Sequence, residues 1–532
     1  MKRRTLSARA LAAALLLGGL VTGVGLAQSA PNQGDNQVVP GIAMPSPMPQ
    51  PTVSGTPIPY PAYGTPAPDV EQLTPKKGVP QSISLADAVR IGVALSPVFA
   101  NDNAQWAAIH AKYTSELQAL YPALSGNAQA AKSYTNGTSS SASSPSPPPG
   151  SSLVPLAAAT KPPFGVYSAS TISSESATIS VTQLIYDGGR TIAAIRSAKE
   201  ADIGGRATLL RDLQTLALNI ANAYYAVLED NATVTSDAQL VHEFEVNEGS
   251  VAAQIRNGAA PRSDIAAAQF QTAQAKGNLV TAQGTAIGAQ GTFATTLGLD
   301  ADAMVVPKSL HGQPSAPSPT YAASLKRALI MRPDYIAAAY NLESEQEAVR
   351  YAKLARFPVL TASANDGVGR TFVNCFSTTN TLNNGKVIPV SECPGPPAWS
   401  NDKSIALNLT IPLYDQGLTN YNIAVAASQL DQALATLNTT RLTVESDVRS
   451  ALATLISARA SLVQARSELT SAQVSLDATQ AQYRVGASTI LNVVTAEANL
   501  STAQSTYITA LYGVYTAEQN YLYATGVSDV QL

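Results

Sequence analysis

The chain has 532 residues, of which 13% are charged and 6% aromatic, and its formal charge is -3. An average soluble domain carries roughly 25% charged residues, so the composition argues against a string of ordinary enzyme domains. Three histidines (His110, His242, His311) and two cysteines (Cys375, Cys393) leave little material for a metal centre or a nucleophilic triad. No enzyme activity and no cofactor are expected, and a near-neutral chain offers no electrostatic case for nucleic acid.

Residues 1–27 read as a secretory signal. Lys2, Arg3, Arg4 and Arg9 precede an apolar run from Leu11 to Val21, and Gly25-Leu26-Ala27 places small residues at the -3 and -1 positions of a cleavage site. No cysteine follows at once, so a lipid anchor there is not expected. Residues 28–81 hold 12 prolines between Pro40 and Pro80, favour extended polyproline conformations, and read as a disordered tether. Two later stretches, Ser139 to Ser152 and Asn365 to Pro397, are rich in Ser, Gly, Asn and Pro and read as long exposed loops.

Proline is otherwise sparse. None occurs between Phe164 and Ala260 or after Pro412, and because an interior proline costs a helix about 3 kcal/mol or more, these spans read as long helices. The chain also repeats itself. Pro97 and Pro333 are 236 apart, as are Tyr121-Pro122 and Phe357-Pro358; past the loops the offset becomes 228, matching Tyr186-Asp187 with Tyr414-Asp415, Gly189 with Gly417, Arg256-x-Gly258 with Arg484-x-Gly486, and Gly298 with Gly526. The expected layout is a first repeat over 82–305, a linker over 306–320, a second repeat over 321–528 and a tail over 529–532. Each repeat reads as helix, loop-bearing hairpin, long helix, turn and returning helix.

In the second long helix, Leu430, Leu434, Leu437, Arg441, Val444, Val448, Ala451, Leu455, Ala458, Leu462, Ala465, Leu469, Ala472 and Leu476 alternate spacings of four and three. That 3.5-residue seam predicts supercoiling with a neighbour. The returning helix carries Val493, Leu500, Tyr507, Val514 and Tyr521 seven apart, with alanine three after each. No later stretch has the roughly 18 uninterrupted apolar residues of a spanning helix, so a membrane would be crossed by strands. Ile405, Leu407, Leu409 and Ile411 alternate with polar or small residues, as do Ile179 and Val181. Period two over about nine residues fits one tilted membrane strand. Tyr121, Tyr186, Phe357 and Tyr414 fall where helix and strand meet, the place of an interfacial aromatic girdle.

Two hairpins supply four strands, whereas single-chain barrels begin at about eight and an open edge is not tolerated in lipid. A closed ring of identical chains is therefore expected. The expected class is mainly α with a small membrane β part. A coiled-coil adhesin or other trimeric envelope-spanning structural protein is the alternative, though it would not need strand hairpins that return to helix pairs.

Leu184-Ile-Tyr-Asp-Gly-Gly-Arg190 and Ile411-Pro-Leu-Tyr-Asp-Gln-Gly417, the Tyr483-Arg-Val-Gly-Ala-Ser-Thr-Ile490 turn and the duplicated layout resemble the TolC-like outer-membrane efflux proteins over roughly residues 82 to 528. The resemblance implies a homotrimer whose shared 12-stranded outer-membrane β-barrel continues into a long periplasmic α-helical barrel. It also implies docking to a periplasmic adaptor protein and an inner-membrane pump, to export small molecules or proteins. Tyr186, Asp187, Gly188, Gly189, Tyr414, Asp415 and Gly417 would form the strand-helix junctions. Asn257, Gly258, Ala259, Val485, Gly486 and Ala487 would be adaptor-contacting tips as well as glycine-assisted turns. Asp264, Tyr483, Ser488 and Asn492 would lie at the periplasmic aperture, where a hydrogen bond from Tyr483 to Asp264 would connect the second hairpin to the first and hold the helix ends inward, with Asp264 otherwise a solvated helix-start carboxylate. Ser488 stands where the best-known members have arginine, and Asn492 and Thr495 where they have aspartate, so an acidic cation-binding ring is not expected. Cys375 and Cys393 share one expected external loop in an oxidising compartment and read as a disulfide, with two free thiols as the alternative. The three histidines read as structural or solvated.

Overall fold

The repeat offsets become helices of matched length. The computed structural model describes residues 81–139, 166–258, 260–309, 319–381, 387–392 and 398–527. Its first repeat runs β1 (Gln81–Ile83), α1 (Leu85–Leu95), α2 (Pro97–Gln118), β2 (Ala123–Ser139), β3 (Val166–Tyr186), α3 (Arg190–Arg256), α4 (Asp264–Thr296) and β4 (Val305–Pro307). The second runs α5 (Tyr321–Met331), α6 (Pro333–Leu354), β5 (Val359–Thr381), β6 (Val387–Glu392), β7 (Ser400–Thr410), α7 (Leu418–Arg484) and α8 (Ile490–Thr525). The expected signal sequence, residues 28–80 of the tether, Ala259, residues 310–318 of the linker, Cys393 and residues 528–532 lie outside the described residues.

Helices α3 and α7 have 67 residues each, about 100 Å at 1.5 Å per residue. Each ends in a turn with a glycine of positive φ, Gly258 at 74° and Gly486 at 75°. At the second turn, the Ala487 N–H donates to the Gln482 carbonyl at 2.8 Å and the Gly486 N–H to the Tyr483 carbonyl at 3.0 Å, the bonding of a left-handed helix stop. The returning helices stop the same way at Gly298 and Gly526, for a second reason. A Cβ there would stand 2.6 Å from the Leu95 carbonyl oxygen and 2.7 Å from the Arg332 nitrogen, respectively. The duplication thus extends to the backbone contact just before Pro97 and Pro333.

Of the 14 predicted α7 seam positions, Leu437, Val444, Val448, Leu455, Ala465 and Leu476 are buried and six more are half-buried. Leu434 and Arg441 are exposed, and Leu452, off the predicted seam, is buried. The reason is a change of partner. Leu437, Val444 and Val448 pack with Ala328 of α5 and Tyr335 of α6, whereas Leu452 and Leu455 pack with Ala517 and Tyr521 of α8. One heptad frame drawn through both regions misplaces residues near the exchange, and Arg441 turns outward to pair with Glu445 at 3.0 Å.

The sheet is more extensive than the sequence suggests. β2 pairs antiparallel with β3, β3 with β5, and β5 with both β6 and β7. With 17, 21 and 23 residues, β2, β3 and β5 outrun the 9–11 or so needed to cross a bilayer. Much of the segment expected as a loop from Asn365 to Pro397 is instead strand, because its Ser, Thr and Asn residues continue the backbone ladder to β3 and β6. The register aligns Leu124, Val181, Ala364 and Ile405 across one face, which Ile179, Leu407 and Leu409 extend. Leu124, Ile179, Val181, Ile405, Leu407 and Leu409 are all exposed in the single chain. A short parallel pair, β1 with β4, was not legible. The expected boundaries at 81/82 and 305/306 fall inside these two strands. The pair is tied to the long helix by Tyr224, whose hydroxyl donates to the Lys308 carbonyl at 2.8 Å. Among the described residues, no helix is long and apolar enough to cross a membrane.

Candidate functional site

The far end of the long helices is one small four-helix core. Leu240, Phe244 and Val251 of α3, Ala268 and Ala275 of α4, Leu476 and Tyr483 of α7, and Val493, Ala496 and Leu500 of α8 pack together. Beyond it the two turns project, with Asn257, Gly258, Val485, Gly486 and Ala487 exposed. Their shape follows from sequence: each helix runs without proline until a glycine reverses it.

Within this core Tyr483 and Asp264 meet. The Tyr483 hydroxyl donates to Asp264 Oδ2 at 2.9 Å, joining the second helical hairpin to the first. Burial, the bond to Asp264 and that carboxylate's charge push the Tyr483 hydroxyl up to about 12, so it remains a proton donor across the physiological range. Ser488 and Asn492 form a separate exposed pair, the Asn492 amide donating to Ser488 Oγ at 3.1 Å. Thr495 turns back to the Leu491 carbonyl at 2.8 Å. The four aperture candidates therefore form two pairs, and no carboxylate occupies positions 488, 492 or 495. Among the described residues no group of His, Cys, Asp and Glu could hold a metal ion.

At the opposite end, the two strand-helix junctions are built alike. Asp187 Oδ1 accepts the Gly189 N–H at 2.9 Å and its Oδ2 the Thr191 N–H at 2.6 Å; Asp415 does the same with Gly417 and Thr419 at 3.1 and 2.7 Å. Each aspartate satisfies amides that a helix start leaves unpaired. Burial pushes the Asp187 carboxyl up, but hydrogen bonds from Thr191, Gly189 and Arg190 outweigh it and hold the group below the usual carboxylate range. Replacing Asp187 with alanine should lower stability by about 1 kcal/mol. The lowered value means that this contribution is full above the ordinary 3.8 and is lost as pH falls through the native value. Urea midpoints of wild type and variant should therefore converge in strong acid, and a gap that does not shrink would show that the carboxylate is not the cap. Tyr121, Tyr186, Phe357 and Tyr414 all stand exposed at this level.

An ionic cluster built on a buried arginine ties the repeats together. Arg332, 2% exposed, forks onto Asp334 at 3.0 and 2.6 Å and reaches Asp447 of α7 at 2.9 Å. Arg211 of α3 lies 3.7 Å from Asp334, donates to the Tyr523 carbonyl at 2.9 Å and stacks 3.5 Å over the Tyr523 ring. Three long helices thus share one charged clasp.

Helix pairs of equal length, a four-position sheet with one apolar face, and junctions repeated at a fixed offset are the features by which the chain can be compared with others. The family model described as outer membrane efflux protein matches residues 93–299 and 324–527, together more than half of the chain. The chain belongs to the outer membrane efflux protein family. It is 26% identical to the outer membrane protein TolC of Salmonella enteritidis over 367 residues, covering 67% of this chain and 70% of that protein. Outer membrane efflux protein BepC of Brucella suis biovar 1 is 25% identical over 350 residues, or 65% and 71% of the two chains. The fold is shared with the Campylobacter jejuni CmeC outer membrane channel at a TM-score of 0.64 and 14% identity, covering 89% of this chain and 94% of that one.

As an outer membrane efflux protein, the chain holds two functional candidates that its motifs did not reveal. Arg332 has no counterpart in the first repeat, where Ser96 stands at the matching offset; an arginine just before a helix-starting proline was the available signal. Glu497 is 1% exposed, and the Asn247 amide donates to its Oε1 at 2.7 Å. Its position was readable: it lies four after Val493 and three before Leu500, on the otherwise apolar seam face of the helix.

Proposed function

We propose that three copies of this outer membrane efflux protein close into one duct, with a 12-stranded barrel in the outer membrane and a helical barrel below it, exporting small molecules or proteins from the periplasm. The observation that carries this reading is the uncovered apolar surface of the single chain. Along the helices, Val280 and Ile287 of α4 and Leu442, Ile456 and Val463 of α7 remain exposed and recur at sevens or fourteens, a supercoil seam without its partner. The sheet has two open edges, which lipid does not tolerate, and an apolar face at membrane-strand spacing. A ring of copies covers the helical stripes and closes the sheet together.

The exposed tip residues Asn257, Gly258, Val485, Gly486 and Ala487, with Ala259 next in sequence to Gly258, are the proposed seats of a periplasmic adaptor that links the duct to an inner-membrane pump. Tyr483 and Asp264, with Ser488 and Asn492, form the proposed aperture. A Cys375–Cys393 disulfide fits the hairpin above the membrane: Phe376 and Glu392, each next in sequence to one cysteine, face one another across β5 and β6. Native mass spectrometry of detergent-extracted protein should give trimers, and planar-bilayer recording of the same preparation should give discrete conductance steps. A dominant folded monomer or dimer, or trimers that never conduct even with the Tyr483 bond removed, would overturn the duct.

A further inference from the structure

Glu497 is the most deeply buried carboxylate among the described residues, and the channel reading gives it no task. It sits on α8 between Val493 and Leu500, in the core that also holds Tyr483, and its described hydrogen bond is the one from Asn247 of α3. Its charged surroundings are acidic. On α3 the like charge of Glu243 bears on it; Asp477 of α7 and His242 of α3 in turn bear on Glu243. On α4, Asp264 is engaged by Tyr483, and Lys276 pairs with Glu245 at 2.7 Å. No lysine, arginine or histidine forms an ion pair with Glu497 among the described residues. An ionised carboxylate held in an apolar core by a single amide is strongly disfavoured.

We infer that Glu497 makes the periplasmic end of the duct proton-sensitive: neutral, it lets α8 seat on α3, and ionised, it pries the pair apart and loosens the core that holds Tyr483 to Asp264. The inference rests on the channel reading but uses a residue outside the proposed aperture. Glu497 lies one helical turn from Val493 and from Leu500, so movement of α8 at this point disturbs the packing around Tyr483. Burial is the main reason the group resists ionisation; it outweighs the Asn247 bond, is reinforced by Glu243, and carries the carboxyl from 4.5 up to about 7. The sign follows. A raised value in the packed tip means that the packing is fully stable below 4.5 and loses stability as pH rises through about 7. Between those limits the opening equilibrium should rise by up to about tenfold per pH unit for each carboxyl that becomes solvated.

The test is open probability from pH 5 to 8 in planar bilayers, paired with a readout that needs no conduction. Spin labels at Arg256→Cys and Leu491→Cys, with Cys375 and Cys393 replaced by serine, report the α3 to α8 separation over the same titration. Wild type should open and spread as pH rises. Glu497→Gln, uncharged and of the same shape, should stay at the acid-side level in both measurements. Asn247→Ala, which removes the donor that favours the charged form, should move the midpoint to higher pH, and it keeps the inference testable if Glu497→Gln fails to assemble. A Glu497→Gln protein that keeps the wild-type profile, or an Asn247→Ala midpoint that does not move, overturns the inference. Absence of any conductance at any pH counts against the channel itself, and the label distances then decide the role of Glu497 alone.

Discussion

Arg332→Ala should destabilise the fold by about 1.5 to 3 kcal/mol, the range for hydrogen bonds to charged groups, because the arginine is buried but the Asp334 and Asp447 side chains it leaves are 28% and 43% exposed and regain water. The loss has two sources. Asp334 and Asp447 lose their shared cation, and the fully buried arginine leaves a cavity between the start of α6 and the side of α7. Arg332→Lys should recover only part of it, since one ammonium cannot reproduce a fork that spans Asp334 while reaching Asp447. Acid should act on the same clasp. Burial pushes the Asp334 carboxyl up, but the bond to Arg332, its charge and that of Arg211 outweigh it and lower the group below 3.8. Its contribution is therefore present above 3.8 and lost as pH falls through the native value. Urea unfolding of the assembled protein should show the large deficit at neutral pH and a shallower acid limb in Arg332→Ala. A deficit below about 1 kcal/mol, the scale of an exposed pair, would mean that helix packing alone joins the repeats.

Tyr483→Phe and Asp264→Ala should each raise channel opening without lowering the yield of assembled protein. The bond between them is charge-assisted and worth about 1.5 to 3 kcal/mol. In the three copies of the proposed duct its loss would shift the closed state by several kcal/mol, more than tenfold in the opening equilibrium. Assembly should survive because the strands that would close the barrel lie at the other end of helices some 100 Å long. The exposed Ser488 and Asn492 pair carries no charge to reinforce closure, which limits the effect to that of the Tyr483 bond. Wild-type opening in both variants would return Asp264 to the role of a helix-start carboxylate and remove Tyr483 from the gate.

The sequence was most legible where the physics is local. Proline-free spans became the long helices, glycines at a fixed offset became their stops, and the aspartates before Gly189 and Gly417 became matched helix starts. The sheet was legible in its apolar phase at Ile179, Val181 and Ile405 to Leu409, but not in its extent. Residues 365–381 look like loop because Gly367, Gly369 and three asparagines interrupt the apolar alternation, yet a partner strand satisfies their backbone as well as it satisfies valine. Strand length there depends on a neighbour, which local composition cannot report.

The sequence by itself determined the duplication, the lengths and ends of the helices and the apolar phase of the strands, and it supplied the open-edge argument on which the proposed ring of copies rests. Each of these follows from periodicity, from proline and glycine stereochemistry, or from the arithmetic of open edges. Only the tertiary structure decided which faces meet. It passed α7 from the α5 and α6 side to α8 near Leu452, set Arg332 between Asp334 and Asp447, and buried Glu497 beside Asn247. A helix period states which residues share a side, whereas the partner on that side, and hence whether a carboxylate is solvated or confined, is set by packing between distant segments.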